Sequence, residues 1–428
     1  MRIAVLHPSF AVFGGTEKLC FDLYPALAAR GHDVTLYTTG LTPEAARTNL
    51  PGVKTVDIGP IALYGDMRQF AEQTRVGRKL APLLVGSDVV RMHGIPSPMW
   101  WLRACEAEPE LRSITSNWCC HGIMGGLYDD VAAAHVLAAR AAEATRSPSV
   151  SDDAGPAPAA PGRIATNFRK LIQRGPGWAL GRVVYYASGG GTRVPKRMIE
   201  VQAEAVANLS TIVTDSHFVA EYLTRIWECS PVCCYPGLVT AGHAPTVPPG
   251  DELVTVCRLQ ESKNVISVLR AVAKLKAAGP LPFSRYVIGG DGADRERLER
   301  VARELDLGDV VRFDGEVDNE HLNEYLDRAG VFILPALDES FGVTYLEAGS
   351  RARACIGPNH GGPSETVIDG ETGWVVEPTD VDALAAAIAE AFADRAELER
   401  RGLAAKERVE TFFSMERFLD CTEKACRG

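Results

Sequence analysis

The sequence lacks the features of a membrane-spanning or general nucleic-acid-binding protein. No apolar run approaches the roughly 20 residues that a helix needs to cross a bilayer. The chain of 428 residues has a formal net charge of −10, so it lacks the basic excess that is typical of nucleic-acid binders. Its first segment, Met1 to His7, predicts a β-strand and not a signal peptide. We therefore expect a cytoplasmic protein with no nucleic-acid partner.

Two short motifs are also missing. None of the eleven cysteines forms a Cys-x-x-Cys pair, which disfavours a zinc site or a redox motif. Several cysteines, such as Cys257 and Cys355, lie in apolar segments where a thiol packs as a small hydrophobic group, so we expect reduced cysteines. The first glycine-containing loop, residues 8–16, has no Gly-x-Gly-x-x-Gly fingerprint. A nicotinamide-dependent dehydrogenase is disfavoured for that reason.

What the chain does contain is an alternation of short apolar runs and longer amphipathic segments. This alternation predicts an α/β fold with parallel sheets and helices between the strands. Residues 240–250 are rich in proline and glycine and have no apolar periodicity, as expected of a linker. We predict a first domain over residues 1–238, a linker at 239–250 and a second domain over 251–411, each large enough for its own core.

An insert of different composition interrupts the first domain at about residues 131–197. Its proline-, alanine- and serine-rich part, residues 146–161, predicts a mobile loop. Residues 154–199 contain no acidic side chain, and arginines and lysines alternate there with aromatic residues. One interpretation is docking on anionic lipid headgroups or on a phosphorylated acceptor. The other is a solvated insert that balances acidic surface elsewhere.

The most informative stretch lies in the second half of the chain. Residues 331–334 predict a buried strand, and Val343 to Arg353 predict a helix that Gly342 opens. A glycine there lets backbone amides approach a ligand, and a helix N-terminus favours an anion such as phosphate. Glu339 and Glu347 border the same cleft, and we assign them to sugar and ribose hydroxyls because carboxylates repel phosphate. The stretch predicts a nucleotide-sugar site.

Two further segments carry groups suited to a diphosphate. Gly14 and Gly15 precede the first helix, where their amides can face phosphate oxygens; the alternative is a tight strand-to-helix turn. Arg258 and Lys263 follow a predicted strand, and together they offer a guanidinium fork and a point charge. Ordinary surface charges would look the same in isolation.

These residues also carry a family resemblance. The segment Glu-Ser-Phe-Gly-Val-Thr-Tyr-Leu-Glu-Ala, from Glu339 onward, resembles the paired-glutamate signature of retaining GT-B glycosyltransferases of family 4, the group 1 glycosyl transferases. The downstream Gly361-Gly-Pro-Ser-Glu365 and the N-terminal Gly-Gly-Thr-Glu-Lys agree with it. The resemblance implies two Rossmann-like domains that face each other across a cleft. It also implies that the C-terminal helix, residues 412–428, crosses back onto the first domain.

The resemblance implies roles for particular residues. His121, after a predicted strand, would contact the donor sugar, although a histidine that only caps a strand is the competing interpretation. Glu339, Arg258 and Lys263 would complete the reaction centre, and Glu347 would bind the ribose. The other implied donor-site residues surround the nucleotide: Gly14, Gly15, Gly290, Asp291, Val317, Phe341, Gly342 and Val343.

The implied activity is transfer of a hexosyl unit from a GDP- or UDP-sugar to an acceptor hydroxyl, with retention at the anomeric carbon. No metal or other cofactor is expected, because cationic side chains and a helix N-terminus can stabilise the departing diphosphate. The acceptor is either lipid-linked and amphiphilic, with peripheral contact at the inner membrane face, or a small metabolite. Two alternatives are a nucleotide-sugar epimerase or hydrolase of the same fold, and a non-catalytic nucleotide-sugar-binding subunit.

Overall fold

The computed structural model describes residues 1–8, 10, 15–59, 67–94, 96–120, 204–227, 229–238 and 249–427. Among the predicted features, His121, Gly14, the insert at 131–197 and most of the linker lie outside these residues. The domain boundaries therefore stay predictions.

The first half of the described chain forms a parallel seven-stranded sheet. Its strands are β1 (Arg2–Leu6), β2 (Asp33–Thr38), β3 (Lys54–Asp57), β4 (Val89–His93), β5 (Thr115–Cys120), β6 (Thr211–Thr214) and β7 (Val232–Cys233). They lie in the order β3-β2-β1-β4-β5-β6-β7. The central strands β1, β4 and β5 are buried over nearly their whole length, as expected of parallel strands that helices cover on both faces.

Helices cover both faces of this sheet. They include α1 (Gly15–Ala29), α2 (Pro43–Asn49), α3 (Met67–Leu84), α4 (Pro96–Ala107) and α5 (His217–Trp227). Trp100 and Trp101 of α4 are buried beside Trp118 of β5. The aromatic cluster around residue 100, which the sequence could not assign to core or surface, therefore belongs to the core.

The second half forms a parallel six-stranded sheet. Its strands are β8 (Glu252–Val256), β9 (Arg285–Gly289), β10 (Val311–Gly315), β11 (Ala329–Ile333), β12 (Ala354–Pro358) and β13 (Gly373–Val376). The order β10-β9-β8-β11-β12-β13 reverses direction between β8 and β11, which is the arrangement of doubly wound folds. The α/β class with two parallel sheets is confirmed.

Helices surround the second sheet, and two of them begin at an aspartate whose side chain caps the first turn. They are α6 (Val265–Ala278), α7 (Arg295–Glu304), α8 (Asn319–Arg328), α9 (Val343–Ser350), α10 (Pro363–Thr366), α11 (Val381–Ala393) and α12 (Arg395–Phe412). The Asp380 carboxylate accepts hydrogen bonds from the amides of Asp382 and Ala383, both at 2.9 Å, and so starts α11. No helix among the described residues is both long and apolar enough to cross a bilayer.

The last helix, α13 (Met415–Arg427), returns to the first sheet. The buried Asn117 side chain of β5 donates to the Ala425 carbonyl at 2.9 Å. The Leu238 amide donates to the Phe413 carbonyl at 3.0 Å. The predicted crossing of the C-terminal helix onto the first domain is confirmed.

A disulfide joins Cys234, which follows β7, to Cys421 of α13. The expectation of reduced cysteines is wrong for this pair, whereas the remaining cysteines are free thiols. The physical reason is the chain return, which brings together two residues that are 187 positions apart in sequence and 5.6 Å apart between Cα atoms. The bond fastens the returning helix to the first sheet.

Candidate functional site

The loops that follow the second sheet's strands meet at its carboxyl edge, near the point where the strand order reverses. The loop after β8 is tied to the loop after β9 by the Leu259 amide, which donates to the Asp291 carbonyl at 2.9 Å. It is tied to the loop after β11 by the Leu337 amide, which donates to the Ser262 carbonyl at 2.7 Å. Ligands of doubly wound sheets bind at such an edge.

The turn after β9 approaches its neighbour so closely that it needs glycine. Gly290 has a φ of +124°, and a side chain there would lie 1.9 Å from the Cys257 carbonyl oxygen. The Asp291 carboxylate accepts hydrogen bonds from the Gly292 amide at 2.6 Å and from Arg295 at 2.9 Å, and these bonds lower the pKa of Asp291. The Asp291 carboxylate therefore stabilises its own turn.

Val317 lies over the end of β9. A side chain at Gly289 would lie 2.7 Å from Cγ2 of Val317, so the two residues are in direct contact. Val317 is partly buried beside the turn at Gly290. This places it on the edge where the nucleotide is predicted.

Lys263 and Glu339 form an ion pair in which the lysine ammonium donates to Oε2 of the glutamate. Their side chains are 21% and 15% exposed, so the pair lies at the border of solvent. The Asn264 amide group fixes the start of α6 by donating to the carbonyls of Pro335 at 3.1 Å and Pro378 at 2.7 Å. Arg258 lies exposed in the same loop. The structure thus brings two predicted reaction-centre residues into contact.

Gly342 opens α9 in the left-handed conformation, and the ring of the preceding Phe341 is buried. Gly342 has a φ of +86°, and a side chain there would lie 2.5 Å from the Tyr345 ring. Phe341 is 1% exposed, and its ring lies 5.8 Å from that of Tyr235 and 5.7 Å from that of Phe413. Because the Phe341 ring fills an apolar cluster, it cannot face a ligand, and only its backbone borders the cleft beside Val343.

Glu347 of α9 binds a residue of the first sheet's domain. Lys18 of α1 donates to its Oε1 atom, and the two side chains are 24% and 11% exposed. Burial alone lowers the pKa of Lys18, but the charge of Glu347 and the hydrogen bond to it raise the pKa above its ordinary value. Sequence reasoning missed Lys18, although it lies in the quoted Gly-Gly-Thr-Glu-Lys segment. The pair is a charged contact across the cleft.

We expect the Lys18–Glu347 pair to couple the two halves of the molecule energetically. Lys18→Met and Glu347→Gln should each lower the free energy of unfolding, while the double variant should lose less than the sum. The coupling should lie at about 0.5–3 kcal/mol, as for residues in direct contact. Urea unfolding of the four proteins measures it.

The matched control is Lys54→Met, since Lys54 pairs with Asp33 at a side-chain exposure of 67%. Exposed pairs contribute about 0–1 kcal/mol, so this variant should unfold almost as the wild type does. If the losses of unfolding free energy in Lys18→Met and Glu347→Gln simply added in the double variant, the cross-cleft ion pair would not couple the two halves of the molecule.

A buried histidine directly follows the first strand of the first sheet. His7, directly after β1, is 4% exposed, and its ring stacks on that of Phe10 at 4.2 Å. Its Nε2 atom lies 3.8 Å from the Glu17 carboxylate. His93 is instead buried in the core, where it is hydrogen-bonded to the Tyr24 hydroxyl. Contacts within the core support a structural role for His93.

A buried carboxyl group lies where the two sheets' loops meet. Asp215 follows β6 and is 4% exposed. Burial raises the pKa of the Asp215 carboxyl group to about 7. The charges of Glu339 and Glu365 add to this rise, whereas hydrogen bonds with its own backbone amide and with Ser340 oppose it. Three carboxyl groups, one from the first half and two from the second, therefore converge. Among the described residues, no group of three histidine, cysteine or acidic residues could hold a metal ion.

Two family models match the chain. The model described as "Glycosyl transferases group 1" matches residues 247–408, and the model described as "Glycosyltransferase Family 4" matches residues 13–148. The first range contains Glu339 and Glu347, and the second contains Lys18. The matched ranges therefore contain both sides of the cross-cleft ion pair.

Two curated proteins are similar to parts of the chain. The glycogen synthase of Mycobacterium tuberculosis (strain CDC 1551 / Oshkosh) is 33% identical over 171 residues, which cover 40% of this chain and 41% of that protein. The GDP-mannose-dependent alpha-(1-6)-phosphatidylinositol monomannoside mannosyltransferase of Mycolicibacterium smegmatis is 34% identical over 166 residues, which cover 37% and 43%. The matched segments span less than half the length of these relatives.

The likeness to a solved structure extends over the whole chain. The Anabaena protein HepE, crystallised in complex with UDP and glucose, has a TM-score of 0.69 at 14% identity and covers 100% of both chains. At this identity the likeness concerns the fold, which is the GT-B arrangement of two parallel-sheet domains. The two family matches, which together cover residues 13–148 and 247–408, show that the chain belongs to the group 1 glycosyl transferases of glycosyltransferase family 4.

Proposed function

We propose that the protein transfers a hexosyl unit from a GDP- or UDP-sugar to an acceptor hydroxyl with retention at the anomeric carbon. The observation that carries the proposal is the meeting of Glu339, Lys263 and the glycine-opened start of α9 at the carboxyl edge of the second sheet. This edge offers a cation and backbone amides to phosphate and a carboxylate to sugar hydroxyls.

Donor binding exchanges partners at the Lys263–Glu339 pair. The donor diphosphate takes the Lys263 ammonium, and a sugar hydroxyl takes the Glu339 carboxylate that the lysine leaves. Both groups keep a partner of suitable charge, so neither becomes an uncompensated buried charge. Glu347 keeps Lys18 on Oε1, and its second oxygen is assigned to a ribose hydroxyl.

In the proposed reaction the acceptor oxygen forms a bond to the anomeric carbon on the face from which the diphosphate leaves. The bond between the anomeric carbon and the diphosphate oxygen breaks, and the acceptor's proton passes to the departing diphosphate. Arg258, Lys263 and the amides at the start of α9 stabilise the charge on the leaving group, and His121 lines the sugar from the first domain. These groups take the place of a metal ion in the proposal.

The relatives support the donor class without selecting the base. The name of the mycobacterial mannosyltransferase specifies GDP-mannose, whereas the HepE crystal contains UDP and glucose. The basic, aromatic insert at residues 131–197 supports a lipid-linked or amphiphilic acceptor and peripheral contact at the inner membrane face. A small metabolite is the competing acceptor.

We expect UDP or GDP compounds to raise the melting temperature without added metal. A ligand at 100 times its Kd stabilises a protein by about 2.7 kcal/mol. Arg258→Ala combined with Lys263→Ala should abolish the shift, because it removes both proposed cationic ligands of the phosphates. A thermal-shift panel of nucleotides and nucleotide sugars measures this.

The control is the double variant Arg270→Ala with Arg285→Ala, which removes two exposed cations elsewhere on the same domain. It should keep the full shift. A wild type that binds none of these compounds would overturn the donor assignment. Donor turnover without an acceptor would favour the epimerase or hydrolase, binding without turnover would favour the subunit, and an inverted product anomer would exclude retention.

A further inference from the structure

The first turn of α5 points at the second domain's loops. Ser216 caps this helix, since its hydroxyl oxygen accepts a hydrogen bond from the Val219 amide at 3.1 Å. The same hydroxyl donates to the Ser340 carbonyl at 2.7 Å. Ser340 directly follows Glu339, so a first-domain helix cap is bonded to the loop that carries the proposed sugar-binding acid.

Glu365 of α10 makes three hydrogen bonds to the first domain. Its Oε2 atom accepts from the His217 amide at 3.0 Å and from the Tyr235 hydroxyl at 2.6 Å. Its Oε1 atom accepts from the Phe218 amide at 2.7 Å. A carboxylate at a helix N-terminus satisfies otherwise unbonded amides and complements the helix dipole. Here the acid that serves α5 comes from the opposite domain.

The groups around Glu365 keep its carboxylate as a hydrogen-bond acceptor and hold its backbone in place. Burial, and next the hydrogen bond to Glu365, raise the pKa of Tyr235, so its phenol stays protonated and donates. On the other side of the residue, Arg408 donates to the Glu365 carbonyl at 2.7 Å. Glu365 is therefore anchored to its own domain by its backbone and to the first domain by its side chain.

The contact at Glu365 is linked directly to Glu339. The Gly362 amide donates to the Glu339 carbonyl at 3.0 Å. A side chain at Gly362 would lie 1.8 Å from the Ser340 carbonyl oxygen, so the two loops pack without space between them. A displacement of α5 relative to Glu365 would therefore be transmitted to the loop that carries Glu339.

Building on the proposed function, we propose that Glu365 is a positioning residue: it latches α5 to the second domain and so sets the distance between the acceptor-side wall and Glu339. The donor lies mainly on the second domain, so it can bind without the latch. Sugar transfer needs the acceptor side of the cleft and Glu339 at the correct distance from each other, since misplacement of reacting groups by about 1 Å can cost on the order of 100-fold in rate.

The first experiment compares nucleotide binding with donor turnover in the full-length protein. The probe is UDP or GDP, whichever stabilises the wild type, and its sugar derivatives serve as donors. Glu365→Ala should keep the wild-type nucleotide affinity and donor KM, while kcat falls by on the order of 10- to 100-fold. Glu365→Gln and Tyr235→Phe, which each retain part of the hydrogen-bond set, should fall between Glu365→Ala and wild type.

The control variant is Glu371→Gln, which changes an exposed acid on the same domain and should behave as the wild type does. Equal losses of nucleotide affinity and kcat in Glu365→Ala would reveal a general structural defect and overturn the latch. An unchanged kcat would overturn it as well.

A second measurement does not depend on the proposed activity. Small-angle X-ray scattering without nucleotide should give a larger radius of gyration for Glu365→Ala than for wild type, because the domains separate when the latch is lost. Equal radii would contradict the latch. A wild type that binds neither UDP nor GDP would contradict the proposed function alone, and the scattering comparison would still decide the latch.

Discussion

Donor turnover should fall by on the order of 100-fold when Glu339 is replaced by glutamine. A hydrogen bond to a charged group contributes about 1.5–3 kcal/mol, and each 1.4 kcal/mol corresponds to about tenfold in rate. The amide of glutamine keeps the shape of the carboxylate but loses its charge. It can neither hold Lys263 as an ion pair before the donor binds nor accept strongly from a sugar hydroxyl afterwards.

The release of UDP or GDP from a nucleotide sugar measures this effect. Glu304→Gln is a suitable control, because Glu304 is an exposed acid at the end of α7. Nucleotide affinity should survive in Glu339→Gln, since Lys263 remains and no longer has to leave a carboxylate. If the variant turned over donor at the wild-type rate, Glu339 would lie outside the reaction centre.

The sequence predicted those elements of the fold whose local signals are strong. The sequence predicts helices over His217–Trp227 and Val381–Ala393, and α5 and α11 have these bounds. Each follows a residue, Ser216 or Asp380, whose side chain caps the first turn. The edge strand β3 was missed, since Lys54–Asp57 is largely exposed and carries no run of apolar residues. The core position of Trp100 was also undecided, because a short aromatic run has no periodicity that separates core from surface.

The candidate site was predicted less completely, for a different physical reason. Glu339, Glu347 and Lys263 stood out through their spacing after predicted strands, which is local information. Lys18, the partner of Glu347, lies 329 positions away from it in sequence. The disulfide-bonded Cys234 and Cys421 are likewise 187 positions apart. Pairing over such distances follows from how the two sheets and the returning helix pack, and no local pattern encodes it.

Glu365 lies in a motif that the sequence did reveal, but its contacts could not be predicted from that motif. The Gly361-Gly-Pro-Ser-Glu365 segment supported the family resemblance, yet nothing in it indicates a bond to α5. The bonded amides lie 147 and 148 positions away. The glycines are explained by the close approach to the Glu339 and Ser340 carbonyls, which is likewise visible only in the folded chain.

The stability of the protein should fall as pH rises from about 4 to 7, through the buried Asp215. Burial, with the nearby charges of Glu339 and Glu365, raises its pKa from the ordinary 3.8 to about 7 in the folded state. Within that window the folded protein binds a proton that the unfolded chain has lost, so each rise in pH favours unfolding. The stabilisation by this bound proton is complete below the pKa that Asp215 has in the unfolded chain. It is lost once the pH passes the pKa that Asp215 has in the folded protein. Its size is on the order of 4 kcal/mol, since one pKa unit corresponds to about 1.4 kcal/mol.

Asp215→Asn isolates this effect, because asparagine has nearly the same shape and does not titrate. The free energy of unfolding of Asp215→Asn relative to wild type should increase between pH 4 and 7 and then level off, as measured by urea unfolding at each pH. A difference that is flat across the window would contradict a raised pKa. In the Glu339→Gln background the rise should end at a lower pH, because one of the charges that disfavours ionised Asp215 is gone. This shift would link the buried carboxyl of the first domain to the proposed sugar-binding acid of the second.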